Sequence, residues 1–142
     1  MIRLIPPILG GPGSVGLLVL RIVAGSAMAL HGWPKIQNPM GWMGDNAPIP
    51  GPALALAAIA EFGGGVCWVL GLLTPLASAL ILGTMAVAAT TVHIKAGHPF
   101  VSTGGPSYEL ASLYLSIALM FLLVGPGKLS IDGAIFGRDR NP

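Results

Sequence analysis

Four apolar stretches, separated by clusters of proline and glycine, dominate the sequence from residue 14 to residue 124. At about 1.5 Å of rise per helical residue, each is long enough to cross the roughly 30 Å hydrocarbon core of a bilayer. Charged residues make up 8% of the chain, whereas soluble domains carry about 25%, so the chain has too little charge to cover a soluble globule. The sequence therefore predicts an all-α membrane protein, a four-transmembrane-helix bundle in contact with the lipid bilayer.

The breaks between the stretches set the predicted spans within a single domain of residues 1–142. The spans are expected at about 14–31, 53–73, 75–95 and 107–124, with Gly32 and Pro34 ending the first of them. Basic residues outside the spans fall unevenly, with Arg3, Lys128, Arg138 and Arg140 on the side of the termini and Lys35 and Lys95 on the other. Because cytoplasmic loops carry the excess of lysine and arginine, both termini are predicted to lie in the cytoplasm.

Composition and motif content exclude several kinds of partner. The formal net charge is +2 and the sequence has no run of lysine or arginine, so the chain is not expected to bind nucleic acid. A single cysteine, Cys67, leaves no Cys-x-x-Cys motif for a zinc ribbon or an iron–sulfur cluster. The expected partners are lipid and other membrane subunits, or further copies of the same chain.

Two charged residues lie inside the predicted spans, where an uncompensated charge is costly. Counted from the ends of their spans, Arg21 lies about 15 Å and Glu61 about 12 Å below the same surface. Similar depths predict an ion pair between Arg21 and Glu61. The pair is either purely structural, or one of its members also contacts a bound anion, quinone or proton. Glu61 is followed by a glycine triple in which Gly64 permits tight helix packing or the close approach of a cofactor.

The predicted outer ends of three spans carry a second group of polar residues, His31, His93 and Glu109, and Lys35 lies nearby in sequence. Two histidines and a carboxylate suit a non-haem metal, and His31 and His93 suit a shared metal or a bracketed haem. The alternative is that the histidines form hydrogen bonds at the membrane surface and that Glu109 favours the start of its helix. An outer polar pocket is predicted in either case, and no metal is assigned to it.

The order and spacing of these residues resemble the DoxX family over about residues 14–137. The segments that carry the resemblance are Leu20-Arg21-Ile22, His31-Gly32-Trp33-Pro34-Lys35, Glu61-Phe62-Gly63-Gly64, Val92-His93, Gly104-Gly105, Tyr108-Glu109 and Gly125-Pro126-Gly127-Lys128. The resemblance implies a multi-pass protein of the prokaryotic cytoplasmic membrane. The family is related to a small subunit of an archaeal quinol oxidase and to thiosulfate:quinone oxidoreductase. The family's polar positions are matched by Arg21, His31, Lys35, Glu61, His93 and Glu109.

The resemblance leaves three functions open, and it does not decide whether the protein is an enzyme. The first is a redox-linked membrane subunit that holds a quinone in the outer pocket, with haem or metal as alternative cofactors. There, His31 or His93 would hydrogen-bond a quinone carbonyl, and Glu61 or Glu109 would relay protons. The second is a non-catalytic accessory subunit that docks through the glycine-rich faces of its first two spans. The third is a small transporter.

Overall fold

The computed structural model describes residues 8–137, and this part of the chain forms helices and no strand. The helices are α1 (Gly11–Gln37), α2 (Gly51–Leu70), α3 (Thr74–Val87) continued by a π-helix (Ala88–Ile94), α4 (Glu109–Val124) and the short α5 (Ile131–Phe136). Three are apolar and long enough to cross a membrane when α3 and the π-helix are counted together, and α4 is a shorter apolar helix of 16 residues. An all-α fold with three to four apolar helices that could span a membrane is thus confirmed for the described residues. Of the residues used to predict orientation, Arg3, Arg138 and Arg140 lie outside that part of the chain.

The four main helices run in alternating directions, so the segments that connect them are divided between the two ends of the bundle. The loop side carries residues 38–50 and 95–108, and the tail side carries residues 71–73 and 125–137. Helix α2 packs against both α1 and α3, and α3 packs against α4. This order places the loop after α1 next to the start of α2 and the end of the π-helix.

Helix α1 does not end at His31, so the prediction that Gly32 and Pro34 terminate it is wrong. The helix continues through both residues to Gln37 and is 27 residues long, about 40 Å by helical rise. Pro34 lacks an N–H group and so removes one helical hydrogen bond, a loss that transmembrane helices tolerate. The added turn brings Lys35 onto the same helix face as Gly32, three residues earlier.

Glycine lets α1 and α2 approach more closely than any side chain would allow. A Cβ atom at Gly32 would overlap the backbone of Glu61 and Phe62, and one at Gly25 would lie 2.7 Å from the Gly65 carbonyl oxygen. Gly65 in turn faces the backbone of Gly25 and Ala29. These glycines are therefore used for packing within the chain. The predicted docking of another subunit through the glycine faces finds no support at these positions.

We expect Gly65→Ala to destabilise the folded protein by about 1–3 kcal/mol, because its Cβ would lie 2.7 Å from the Gly25 carbonyl oxygen. Two residues earlier in the same helix, Gly63 has no atom within 4 Å of its Cβ position. Gly63→Ala should therefore be neutral or stabilising by up to about 1 kcal/mol. Thermal unfolding of both variants in detergent tests this contrast, and equal melting temperatures would contradict it.

The apolar core lies between the four helices and is centred on Trp68 of α2, which is fully buried. Its indole Nε1 donates to Ser78 Oγ on α3 at 2.9 Å, and its ring meets Phe121 of α4 edge to face at 5.0 Å between centroids. The contact satisfies the one polar atom of the tryptophan while its ring fills the core. Trp68 therefore ties three helices together at one level of the bundle.

The tail side is closed by the segment after α4, which returns to the starts of α1 and α3. The Lys128 N–H donates to the Leu9 carbonyl at 2.8 Å, and the Leu129 N–H donates to Ser14 Oγ at 3.0 Å. The Asp132 carboxylate accepts from the N–H groups of Leu73 and Thr74 at 2.9 and 2.8 Å. Asp132 thus supplies, from a distant part of the chain, the capping acceptor that the start of α3 lacks locally.

Candidate functional site

A cavity of about 380 Å³ lies between α2 and α3 and extends under the loop of residues 38–50. Its walls are mainly apolar and include Leu56 and Ala57 of α2 and Gly83 and Val87 of α3. Leu56 and Val87 are 53% and 44% exposed respectively, so the cavity is open and not enclosed. The cavity therefore opens sideways, on the surface where the apolar helices contact lipid. Its volume is in the range of sites for small molecules.

An ion pair forms the polar end of the cavity. Lys35 Nζ donates to both oxygens of Glu61, at 2.7 and 2.6 Å. Glu61 is 5% exposed and Lys35 is 23% exposed, so the carboxylate lies deeper than the ammonium group. The same Nζ lies 4.3 Å from the ring centroid of Trp42, whose indole N–H donates to the Leu54 carbonyl at 3.1 Å. Trp42 therefore fixes the loop over the cavity and covers the cation with an aromatic face.

The third ionisable side chain in the cavity wall, His93, lies in the π-helix. This helix uses the wide i→i+5 pattern, as in the 3.1 Å bonds from Lys95 N–H to the Thr90 carbonyl and from His98 N–H to the His93 carbonyl. The Nδ1 atoms of His93 and His98 are 3.0 Å apart. The structure thus joins a cavity-lining histidine to one in the loop that follows. π-Helical turns are frequent at functional sites.

The structure brings together some of the predicted site residues and separates others. Lys35, Glu61 and His93 line one cavity. His31 is exposed on α1 with its ring edge-on to Tyr114, at 6.4 Å between centroids. Glu109 starts α4, half-buried and outside the cavity wall. Gly64 lies in the α2–α3 contact, where its Cβ position is 2.9 Å from the Ile81 side chain.

Arg21 lies on the tail side, far from Glu61, and the predicted Arg21–Glu61 ion pair is wrong. Arg21 is fully buried, and its Nη2 donates to the Leu129 carbonyl. Gly71 makes room for it, because a Cβ at that position would overlap the guanidinium group. The depth of Arg21 was misjudged because α1 extends six residues past His31, which shifts the outer end of the helix.

The histidines and glutamates do not form a metal centre in the described part of the chain. Between residues 8 and 137, no three histidine, cysteine, aspartate or glutamate side chains are close enough to hold one ion. His31 and His93 lie on different helices, with His93 in the cavity wall and His31 outside it. The structure therefore gives no support to a three-ligand metal site that includes both histidines.

Two residues of the site were not predicted from the sequence. Trp42 reads as an interfacial tryptophan, and only the folded loop shows that it lies over Lys35. His98 follows His93 by five residues, a spacing that does not share a face on an α-helix. The same spacing matches the π-helical hydrogen bond from His98 N–H to the His93 carbonyl. An i, i+5 pair of histidines at the end of a span is the sequence signal for such a contact.

The fold and the cavity together define a class: a multi-pass membrane protein with a lipid-facing cavity that ends in an ion pair and a histidine. Within this class the chain belongs to the DoxX family. The family model described as DoxX matches residues 16–94, the part of the chain that includes Lys35, Glu61 and His93. The resemblance found in the sequence is therefore confirmed.

Two relatives are similar to nearly the whole chain. A Haemophilus influenzae protein named "Uncharacterized protein" is 33% identical over 124 residues, covering 84% of this chain and 90% of its own length. A Bacillus subtilis protein named "Putative oxidoreductase CatD" is 33% identical over 130 residues, covering 89% of this chain and 92% of its own. No solved structure gives a significant match. One of the two relatives thus carries the name of an oxidoreductase.

Proposed function

We propose that this protein binds a quinone, or a lipid-soluble molecule of the same kind, in the cavity between α2 and α3 and serves a redox process in the membrane. The observation that carries the proposal is the shape of the cavity, which is apolar along its length, open to the lipid-facing surface and polar at one end. A quinone has the matching form, with an apolar tail and a flat ring that carries carbonyl oxygens. Such a molecule dissolves in the bilayer and would enter from the side.

The polar end suits a neutral ring better than a charged ligand. Lys35 and Glu61 neutralise each other at 2.6 Å, so neither offers a free charge to an ion. His93 is the cavity-lining side chain left with a ring nitrogen for a carbonyl oxygen, since its Nδ1 faces His98. Trp42 adds an aromatic surface beside the pair. The relative named as an oxidoreductase in Bacillus subtilis supports a redox role for the bound molecule.

In the membrane we place all four long helices as spans, with α4 crossing a locally thinner layer because it has 16 residues. Lys128 and the basic residues of both terminal segments then lie on the cytoplasmic side. The loop side, with the cavity's polar end, faces out of a prokaryotic cell. A reporter fused to the C-terminus and active only in the cytoplasm should be active, and activity of an outside-only reporter would contradict this orientation.

Filling the cavity is expected to abolish quinone binding. Gly83 lines the cavity and has no atom within 4 Å of its Cβ position, so Gly83→Leu adds a side chain to open space without a clash. We expect the affinity of the Gly83→Leu protein for decylubiquinone to fall at least about tenfold, which is a loss of about 1.4 kcal/mol in binding free energy. The measurement is quenching of tryptophan fluorescence in detergent, in a Trp33→Phe background because exposed Trp33 also responds to quinone in the micelle; the remaining emitters are Trp42 at the cavity and the fully buried Trp68.

Gly16→Leu is the matched control for Gly83→Leu. Gly16 is exposed on α1, also has open space around its Cβ position and does not line the cavity. The Gly16→Leu protein should bind decylubiquinone with the same saturable curve as the wild type. Quenching that does not saturate, or that is the same in Gly83→Leu and the wild type, would overturn the proposal and leave the accessory-subunit hypothesis as the better one.

A further inference from the structure

Of the three ionisable side chains in the cavity wall, Lys35 and Glu61 form an ion pair with each other. Both oxygens of Glu61 accept from Lys35 Nζ, at 2.7 and 2.6 Å. Adding a proton to Glu61 would leave the Lys35 ammonium without its partner and would break a partly buried ion pair. The pair is therefore suited to holding the end of the cavity in shape. His93 is the remaining candidate for exchanging a proton with a ligand.

His93 is hydrogen-bonded to a second histidine, His98, which lies outside the cavity wall. Its Nδ1 lies 3.0 Å from Nδ1 of His98, so one of the two atoms carries a proton and the other accepts it. The backbone fixes this contact, because the His98 N–H also donates to the His93 carbonyl at 3.1 Å. His98 is half-buried in the loop after the π-helix and is not part of the cavity wall. The two rings thus form a chain of imidazole nitrogens from the loop to the cavity.

We infer that His93 and His98 together carry protons from the loop-side water to the ligand in the cavity, and that Glu61 does not. The inference rests on the proposed function. Reduction of a quinone to a hydroquinone takes two electrons, here from an external low-potential reductant, and two protons. For each proton, the His93 Nε2–H bond breaks as an O–H bond forms on the ring oxygen.

The proton that His93 has lost is then replaced from His98, and that of His98 from water. His93 Nδ1 takes the proton held on His98 Nδ1, and His98 Nε2 takes one from water. Both rings end neutral, and one proton has moved from water to the ligand. An exchange of tautomers in each ring returns the pair to its starting state for the second proton. His93 is the residue that touches the ligand, and His98 acts through it.

The test separates proton transfer from positioning by replacing His98 with asparagine. An asparagine amide can hydrogen-bond to His93 Nδ1 but cannot take up and pass on a proton. We expect His98→Asn to bind decylubiquinone as the wild type does, while hydroquinone formation by dithionite, with all quinone bound, slows by at least about 10²-fold. Added imidazole should restore the rate in His98→Ala, which a purely structural role for His98 does not predict.

His31→Asn is the control, because His31 is an exposed histidine outside the cavity wall. It should leave both binding and reduction unchanged. Normal binding together with an undiminished rate in His98→Asn would overturn the inference and leave the proposed function standing. Failure of the wild type to bind the quinone would overturn both.

A second readout needs no quinone. In protein labelled with ¹⁵N-histidine, the two Nδ1 atoms at 3.0 Å should show a scalar coupling across their hydrogen bond. The coupling should be absent in His98→Ala and retained in Glu61→Gln. Loss of the coupling in Glu61→Gln would show that the ion pair, and not the π-helix, holds the histidines together, and would contradict the inference.

Discussion

Replacing Arg21 with methionine is expected to lower the free energy of unfolding by about 1–3 kcal/mol, because the Leu129 carbonyl loses its charged donor. The guanidinium group is fully buried and donates to the Leu129 carbonyl. The nearby Asp132 carboxylate, itself 6% exposed, makes no hydrogen bond or ion pair with the guanidinium group and accepts instead from the N–H groups of Leu73 and Thr74. Methionine keeps much of the volume, so the loss is that of the charge and the hydrogen bond.

A second variant tests whether the hydrogen bond is the cause. Arg21→Lys keeps a charged donor on the same helix position and should recover part of the loss, because its ammonium group can donate to the Leu129 carbonyl. The free energy is measured by titrating detergent-solubilised protein with a denaturing detergent. Ile22→Met is the control, since Ile22 is the next residue along α1 and is 46% exposed. Equal stability of Arg21→Met and Ile22→Met would show that Arg21 does not hold the tail side together.

Removing Lys35 is expected to lower the free energy of unfolding more than removing Glu61 does. Lys35→Met leaves the carboxylate of Glu61, 5% exposed, without its partner and should cost about 3–5 kcal/mol. Glu61→Gln leaves Lys35, which is 23% exposed, and a long lysine side chain can extend its ammonium group to water. This variant should cost no more than about 1–2 kcal/mol.

The same denaturing titration measures the difference. The Lys35→Met/Glu61→Gln double variant should be more stable than Lys35→Met alone, because the uncompensated charge has gone. Gln37→Met is the control, since Gln37 is exposed two residues further along α1. If Glu61→Gln proved the more damaging of the two single changes, the unequal burial of the pair would not be what sets its energetics.

The sequence was sufficient for the class of fold, because apolar length and lack of charge constrain a membrane helix strongly. Three of the residues singled out in the sequence, Lys35, Glu61 and His93, share the cavity wall, and their role there stays a prediction. The sequence misplaced Arg21 because proline and glycine were expected to end α1. In a membrane bundle these residues can remain in a helix, because neighbouring helices, serine and threonine side chains, ordered water or a local change of helix type satisfy the freed backbone groups.

The partners of each charge could not be predicted, because they depend on helix ends and on returning loops. One further turn of α1 places Lys35 beside Glu61. The partner of Arg21 is a backbone carbonyl, that of Leu129, and a carbonyl has no signature in the sequence. The His93–His98 contact depends on a π-helix, which composition does not reveal.

The bond from Arg21 to the Leu129 carbonyl joins residues 108 positions apart. At rates of about 5–20 residues per second, a ribosome needs about 5–20 s to reach the second after making the first. During that time the membrane-insertion machinery must retain an arginine-bearing helix whose insertion costs about 2.5–3.5 kcal/mol more than that of an apolar one. Arg21 therefore acquires its hydrogen-bond partner only when the segment after α4 has been made.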